Sequence, residues 1–139
     1  MATELFQIND GRLIPYSGDS SVVIIPECVT QIGKRAFHDN KHITKVIIPN
    51  TVTFIDDAFE YCENLTEVIV PDSVTHIGDC AFYRCKGLAD ENGFVIVNGI
   101  MYDYFGDGSD IAIPNSVTNI DDYAFYYQKG MADQDGFLS

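Results

Sequence analysis

Apolar side chains recur along this chain in one long pattern, clearest in Leu65–Cys85, LTEVIVPDSVTHIGDCAFYRC. Leu65, Val68 and Val70 are predicted to face a core from a short strand, which leaves Glu67 and Ile69 pointing outward. Pro71 cannot donate to a sheet ladder and ends that strand. Asp72-Ser73 supplies a turn, and Val74–Ile77 forms a second short extended segment. Residues 79–83 are too few for an independent helix, so a single α or 3-10 turn is expected there. Ala81 and Phe82 then fill the core.

The pattern is repeated four times. Ile25-Pro26, Ile48-Pro49, Val70-Pro71 and Ile113-Pro114 are each followed by Val (Val29, Val52, Val74, Val117) and Ile (Ile32, Ile55, Ile77, Ile120). Ala36-Phe37, Ala58-Phe59, Ala81-Phe82 and Ala124-Phe125 close the units. Successive prolines are 23, 22 and 43 residues apart, so the last interval holds about one unit plus an insertion. Asp10-Gly11 and Asn98-Gly99, each flanked by apolar runs, are two-residue hairpin signals, because both turn positions need positive φ. They predict hairpins at 6–15 and 94–103, each leading into a standard unit. Gly130–Phe137 repeats Gly87–Phe94, and polar caps are not apparent, so the array is expected to be cut from a longer one or covered at its C-terminal end.

Such self-similarity predicts one solenoid domain over 1–139. Its parts are a hairpin unit at 6–20, repeats at about 21–42, 43–64 and 65–86, a hairpin insertion at 87–107, a repeat at 108–130 and the start of a further unit at 131–139. The pattern L-T-x-V-x-x-P-x-x-V-T-x-I-G-x-x-A-F-x-x-C resembles the BspA-like (Treponema-type) leucine-rich repeat family from Phe6 to Phe137, best over Ile43–Phe59 and Leu65–Cys85. The resemblance implies a β-rich right-handed leucine-rich-repeat solenoid of α/β type. A parallel sheet lies on one side, short α or 3-10 turns on the other, and the β-hairpins are inserted. It also implies adhesion through protein–protein contact at a bacterial surface. Two departures are Asn40 and Gln128, where the other units carry Cys62 and Cys85.

Charge changes the picture by exclusion. The 21 acidic against 8 basic residues give a formal net charge of -13, which opposes nucleic acid and anionic membrane surfaces. No apolar run is long enough to span a membrane, and residues 1–18 lack the basic start and apolar core of a signal peptide. The residues leave the compartment open. The resemblance points to a surface or secreted protein.

No catalytic constellation rises above the repeat, and no cofactor or metal site is expected. Cys62 and Cys85 share one repeat position and should stack inside the solenoid, with Asn40 and Gln128 bonding loop backbone in the same place. His38 and His42 have the spacing of two metal ligands, but Lys41 between them and the lack of histidine in other units favour surface residues. His76, equivalent to Gln31, Phe54 and Asn119, is expected to be exposed. Asp103, Asp107 and Asp110 lack the order of a calcium loop and read as a turn. Asp56-Asp57 and Asp121-Asp122 read as acids at the start of a helical turn.

The feature that points to function is an outward column, Ile24, Ile47, Ile69 and Ala112, which parallel stacking would align about 4.8 Å apart. Lys45 and Glu67 border it. An exposed apolar stripe of this kind is a candidate protein-binding surface. A secondary candidate is an aromatic patch of Tyr83, Tyr102, Tyr104, Tyr123, Tyr126 and Tyr127. The resulting expectation is a non-enzymatic interaction module with protein partners, with self-association through the sheet face or the C-terminal end also open. The alternatives are a structural spacer or assembly segment of a larger repeat protein, and a cytosolic interaction scaffold.

Overall fold

The computed structural model describes residues 6–125 apart from 14, 17, 109 and 110. The chain winds into a β-solenoid with almost no helix, one 3-10 turn at Lys86–Leu88 being the helical element among these residues. Strands β3 (Val22–Ile24), β5 (Lys45–Ile47) and β7 (Glu67–Ile69) stack in parallel as one sheet. A second sheet runs β1 (Ile8–Asn9), β2 (Arg12–Leu13), β4 (Gln31–Ile32), β6 (Phe54–Ile55) and β8 (His76–Ile77), parallel from β2 onward. Strands β9 (Phe94–Val97), β10 (Ile100–Tyr104) and β11 (Asn119–Ile120) form the third.

Each repeated residue has a mechanical reason. The carbonyls of Pro26, Pro49, Pro71 and Pro114 accept the N–H of the valine three residues on, at 3.1–3.2 Å, and turn the chain from first strand to second. The threonines at the corners tie coils together: Thr53 and Thr75 donate backbone N–H to Thr30 and Thr53 carbonyls at 2.9 Å. Both Asx-Gly turns place two residues at positive φ (Asp10 56°, Gly11 80°; Asn98 55°, Gly99 80°), as a tight hairpin requires.

The third corner is not a helical turn. In the first coil the N–H groups of Arg35, Phe37 and Asp39 donate to Asp57, Ala58 and Glu60 of the next coil. Those of Ala36, His38 and Asn40, in between, close local turns three residues back. This alternation demands left-handed residues, and Arg35, Asp39, Tyr61, Cys80 and Arg84 all have φ near 60°. Such conformations cost roughly 1 kcal/mol or more each in a non-glycine residue, which the inter-coil bonds offset. The second coil lacks one residue before Ala58, and there the turn tightens to a bond from Ala58 N–H to Asp56 O.

Aromatic rings form the spine of the core. Phe6, Tyr16, Phe37, Phe59, Phe82 and Tyr102 contact in series at centroid distances of 5.0–5.4 Å. The β9–β10 hairpin then divides the interior. Val95, Val97 and Tyr102 complete the core of the first three coils, while Phe94, Met101 and Tyr104 join Ala124 and Phe125 in a second cluster. The first hairpin has the same inward face but a different outer one. Gln7, Asn9 and Arg12 stand where Val95, Val97 and Ile100 stand in the second. Gln7 and Asn9 are exposed, so this hairpin presents a polar outer face beside the first coil.

Insertion of the second hairpin interrupts the inter-coil ladder, and carboxylates repair it. Cys80 N–H, equivalent to that of Arg35, donates to Asp121 Oδ1 at 3.3 Å. Arg84 N–H, equivalent to that of Asp39, donates to Asp103 Oδ2 at 2.8 Å. The Arg84 guanidinium also grips Asp103 through both oxygens at 2.8 and 2.6 Å and lies 4.2 Å from the Phe105 ring centre. Asp103 is thus a fully buried anchor rather than a turn residue, and Asp121 an acceptor rather than a helix-start charge.

Phe82 is buried between Phe59 and Tyr102, whereas His76 lies exposed on the outer sheet surface, stacked on Phe54. Phe82→Ala should therefore cost about 3–5 kcal/mol and His76→Ala under about 1 kcal/mol. Urea melts with equal midpoints for the two variants would refute this division of core and surface.

Candidate functional site

The outer face of the β3–β5–β7 sheet carries two columns. Strand alternation turns Val23, Val46 and Val68 inward, so Val22–Lys45–Glu67 and Ile24–Ile47–Ile69 face out in register. Val22, Ile24 and Ile69 are 47%, 63% and 44% exposed, and Ile47 is half-buried between its neighbours. Lys45 Nζ lies 3.6 Å from Glu67 Oε1, an ion pair of small energetic weight at this exposure. At the strand starts, Thr44 and Thr66 hydroxyls donate to Ser21 and Thr44 carbonyls at 3.1 Å and hold the strands level.

Ala112 is not part of the column. Residues 111–114 form no strand and do not extend the β3–β5–β7 sheet. Ala112 is exposed and, with Ile111, lines a separate cavity of about 610 Å³ beside Phe94, Tyr104 and Phe105.

Three of the four described tyrosines of the aromatic patch, Tyr83, Tyr102 and Tyr104, are buried rather than on a surface. Tyr102 is 1% exposed against Phe82, and burial raises its hydroxyl pKa. Tyr104 is 4% exposed between Phe94 and Phe125, and its ring lies so close over Gly106 that a Cβ there would overlap the hydroxyl. Tyr83 is buried between Tyr61 and Tyr123, and Tyr123 is exposed. Tyr126 and Tyr127 lie outside the described residues, as do Asp110 and Gln128.

Cys62 and Cys85 occupy equivalent buried places, and their thiols donate to Phe37 and Phe59 carbonyls at 2.9 and 3.0 Å. Asn40 does the same work with its amide, donating to Gly18 O and accepting from His42 and Ile43 N–H. Burial pushes the Cys62 and Cys80 thiols up to about 12 and Cys85 well above its ordinary value. His38 faces Glu60 at 3.4 Å, and Lys41 bridges Asp39 and Glu63. No three His, Cys, Asp or Glu side chains converge on a metal position among the described residues. No helix among them is long and apolar enough to cross a membrane.

Sequence reasoning missed the Arg84–Asp103 clamp. Its signal was present: Arg84 and Asp103 depart from their repeat equivalents on either side of the insertion, as Asp39 and Pro15 show.

A family model of the BspA-type leucine-rich repeat region matches residues 16–132 in six copies. Among solved structures, a leucine-rich repeat protein of Treponema pallidum aligns with a TM-score of 0.57 at 22% identity. The alignment covers 83% of this chain and 60% of that one. A leucine-rich cell surface protein of Faecalibacterium prausnitzii aligns with a TM-score of 0.54 at 30% identity, over 89% of this chain and 32% of that one. The chain therefore spans less than two thirds of either protein. No curated protein sequence matches it.

Two outcomes follow from these environments. Of the four free cysteines Cys28 is exposed, Cys80 half-buried, and Cys62 and Cys85 buried, so a thiol reagent at pH 8 should label Cys28 rapidly, Cys80 more slowly, and the other two only on unfolding. Rapid labelling of two or more sites in the folded protein would contradict the burial. Burial, first, raises the carboxyl pKa values of Glu60 and Asp121 above their ordinary 4.5 and 3.8. Between those ordinary values and the raised ones the native state holds more protons than the unfolded chain, so these groups favour folding at the acidic end and lose that contribution as pH rises. The Tm should fall from about pH 5 to pH 7, less steeply in Glu60→Gln; a Tm rising over that interval would refute this.

Proposed function

Because the chain belongs to the BspA-type leucine-rich repeat family, we propose that it is a non-enzymatic protein-interaction module presented at a bacterial surface. Its binding face is the outer side of the β3–β5–β7 sheet. The observation that carries this is the register Ile24–Ile47–Ile69, which holds large apolar side chains side by side in water on a sheet whose inner face is the core. Exposed β-branched side chains gain nothing from folding in these positions beyond strand propensity, and a contiguous row of them is the centre that a partner can desolvate. Val22 widens the row, and Lys45 and Glu67 give it a polar border that orients a partner. The surface location rests on the leucine-rich cell surface protein of Faecalibacterium prausnitzii, of which this chain covers 32%. Adhesion to host or neighbouring cells is the role this surface would serve.

Ile24→Lys with Ile69→Lys places two charges in the row without entering the core. The double variant should fold with a stability change within about 1 kcal/mol and lose the proteins that immobilised wild type retains from bacterial or host cell surfaces. Retention of the same proteins by the double variant would move the site elsewhere, and retention of none by wild type would favour the spacer role.

A further inference from the structure

In the regular coils the next strand roofs the inner row of the first sheet. Val23 and Val46 are fully buried, and Ile25 and Ile48 are 2% and 3% exposed. The equivalents on β7, Val68 and Val70, are only half-buried, because among the described residues β7 pairs with β5 alone. Its backbone has a free side as well. Glu67 N–H donates to Thr44 O at 3.2 Å, and Ile69 O accepts from Ile48 N–H at 3.3 Å, so both residues turn their polar groups toward β5. Alternation then turns the N–H and C=O of Val68 the other way.

They face a cleft of about 370 Å³, closed on its far side by Leu88, Ile96 and Val97. The inserted hairpin creates this cleft by pairing with β11 instead of extending the β7 sheet. Among the described residues no side-chain carboxylate repairs the ladder here, unlike at Cys80 and Arg84. The lining includes one acid, Glu67, which lies 3.6 Å from Lys45 Nζ, in a chain of formal charge -13.

We infer that the outer edge of β7 and this cleft form a slot for one extended segment of a partner protein, added as a fourth strand. The edge-facing main-chain groups of β7, which no described strand pairs, supply its hydrogen bonds, and the apolar walls take its alternate side chains. The net negative charge of the chain favours Lys or Arg at the remaining positions. The slot adjoins the outer face assigned above but shares no substituted residue with it, so the two sites fail separately.

The probe is a labelled peptide of residues 43–50, Ile-Thr-Lys-Val-Ile-Ile-Pro-Asn, which supplies β5 in the protein itself and carries a lysine. The folded chain should bind it saturably in fluorescence anisotropy, at least about tenfold more tightly than a scrambled peptide. At saturation the Val68 and Val70 amide protons should gain exchange protection by NMR. Val68→Pro removes the N–H that points into the cleft while sparing the pairing with β5, as edge strands tolerate. It should weaken binding at least about tenfold. Leu88→Lys, which fills the cleft from its far wall, should do the same and decides the matter if Val68→Pro does not fold. Ile24→Lys, on the outer face, should leave peptide binding unchanged. The slot is refuted if wild type shows no saturable binding at millimolar peptide, or if the folded variants bind as wild type does. Concentration-dependent self-association that protects Val68 without peptide would assign the edge to a second copy and overturn the partner reading.

Discussion

Every coil of this protein must pass its backbone polar groups to the next, and that requirement organises the molecule. At the two strand corners the parallel ladders meet it. At the third, alternate N–H groups reach forward to the next coil while those between close local turns, at the cost of left-handed residues. The repeated threonines and prolines set the corners where one ladder gives way to another. The conserved pitch leaves the rings from Phe6 to Tyr102 about 5 Å apart, the separation at which aromatic stacking is favourable.

The inserted hairpin breaks this rule once and shows how strictly it is enforced. With the next coil displaced, the amides of Cys80 and Arg84 would be left without acceptors, and Asp121 and Asp103 provide them. Burying Asp103 would be costly alone; the bidentate Arg84 guanidinium and two backbone N–H groups satisfy its oxygens. The hairpin is buried on both faces and serves two cores at once, whereas its N-terminal counterpart exposes Gln7 and Asn9 on the corresponding face. One motif thus acts as a partition in one place and presents a polar outer face in the other, and Gln7, Asn9 and Arg12 make the difference.

A scaffold of this kind separates stability from recognition. Inward positions are fixed by packing, while outward positions on the sheets change from coil to coil with little effect on the fold; Gln31, Phe54 and His76 share one register on the second sheet. The first sheet spends its outward positions on apolar side chains, and its last strand keeps an open edge. Both features lie on the same three strands, so a partner could meet a side-chain surface and a main-chain edge within one small area.

The sequence by itself determined the repeat, the strands of the first three units, both hairpin turns and most of the core residues, because each of these is a local property copied at fixed spacing. It also placed Ile24, Ile47 and Ile69 on one column and Cys62, Cys85 and Asn40 at one inward repeat position, since periodic residues in a stack must align. Only the tertiary structure decided what happens where the period breaks. Ala112 left the column, Tyr83, Tyr102 and Tyr104 went inside, Asp103 became an anchor and β7 kept its free edge. Each of these follows from where the hairpin sits relative to the coils on either side. That is a matter of contacts between residues far apart in the chain, and no local pattern carries it.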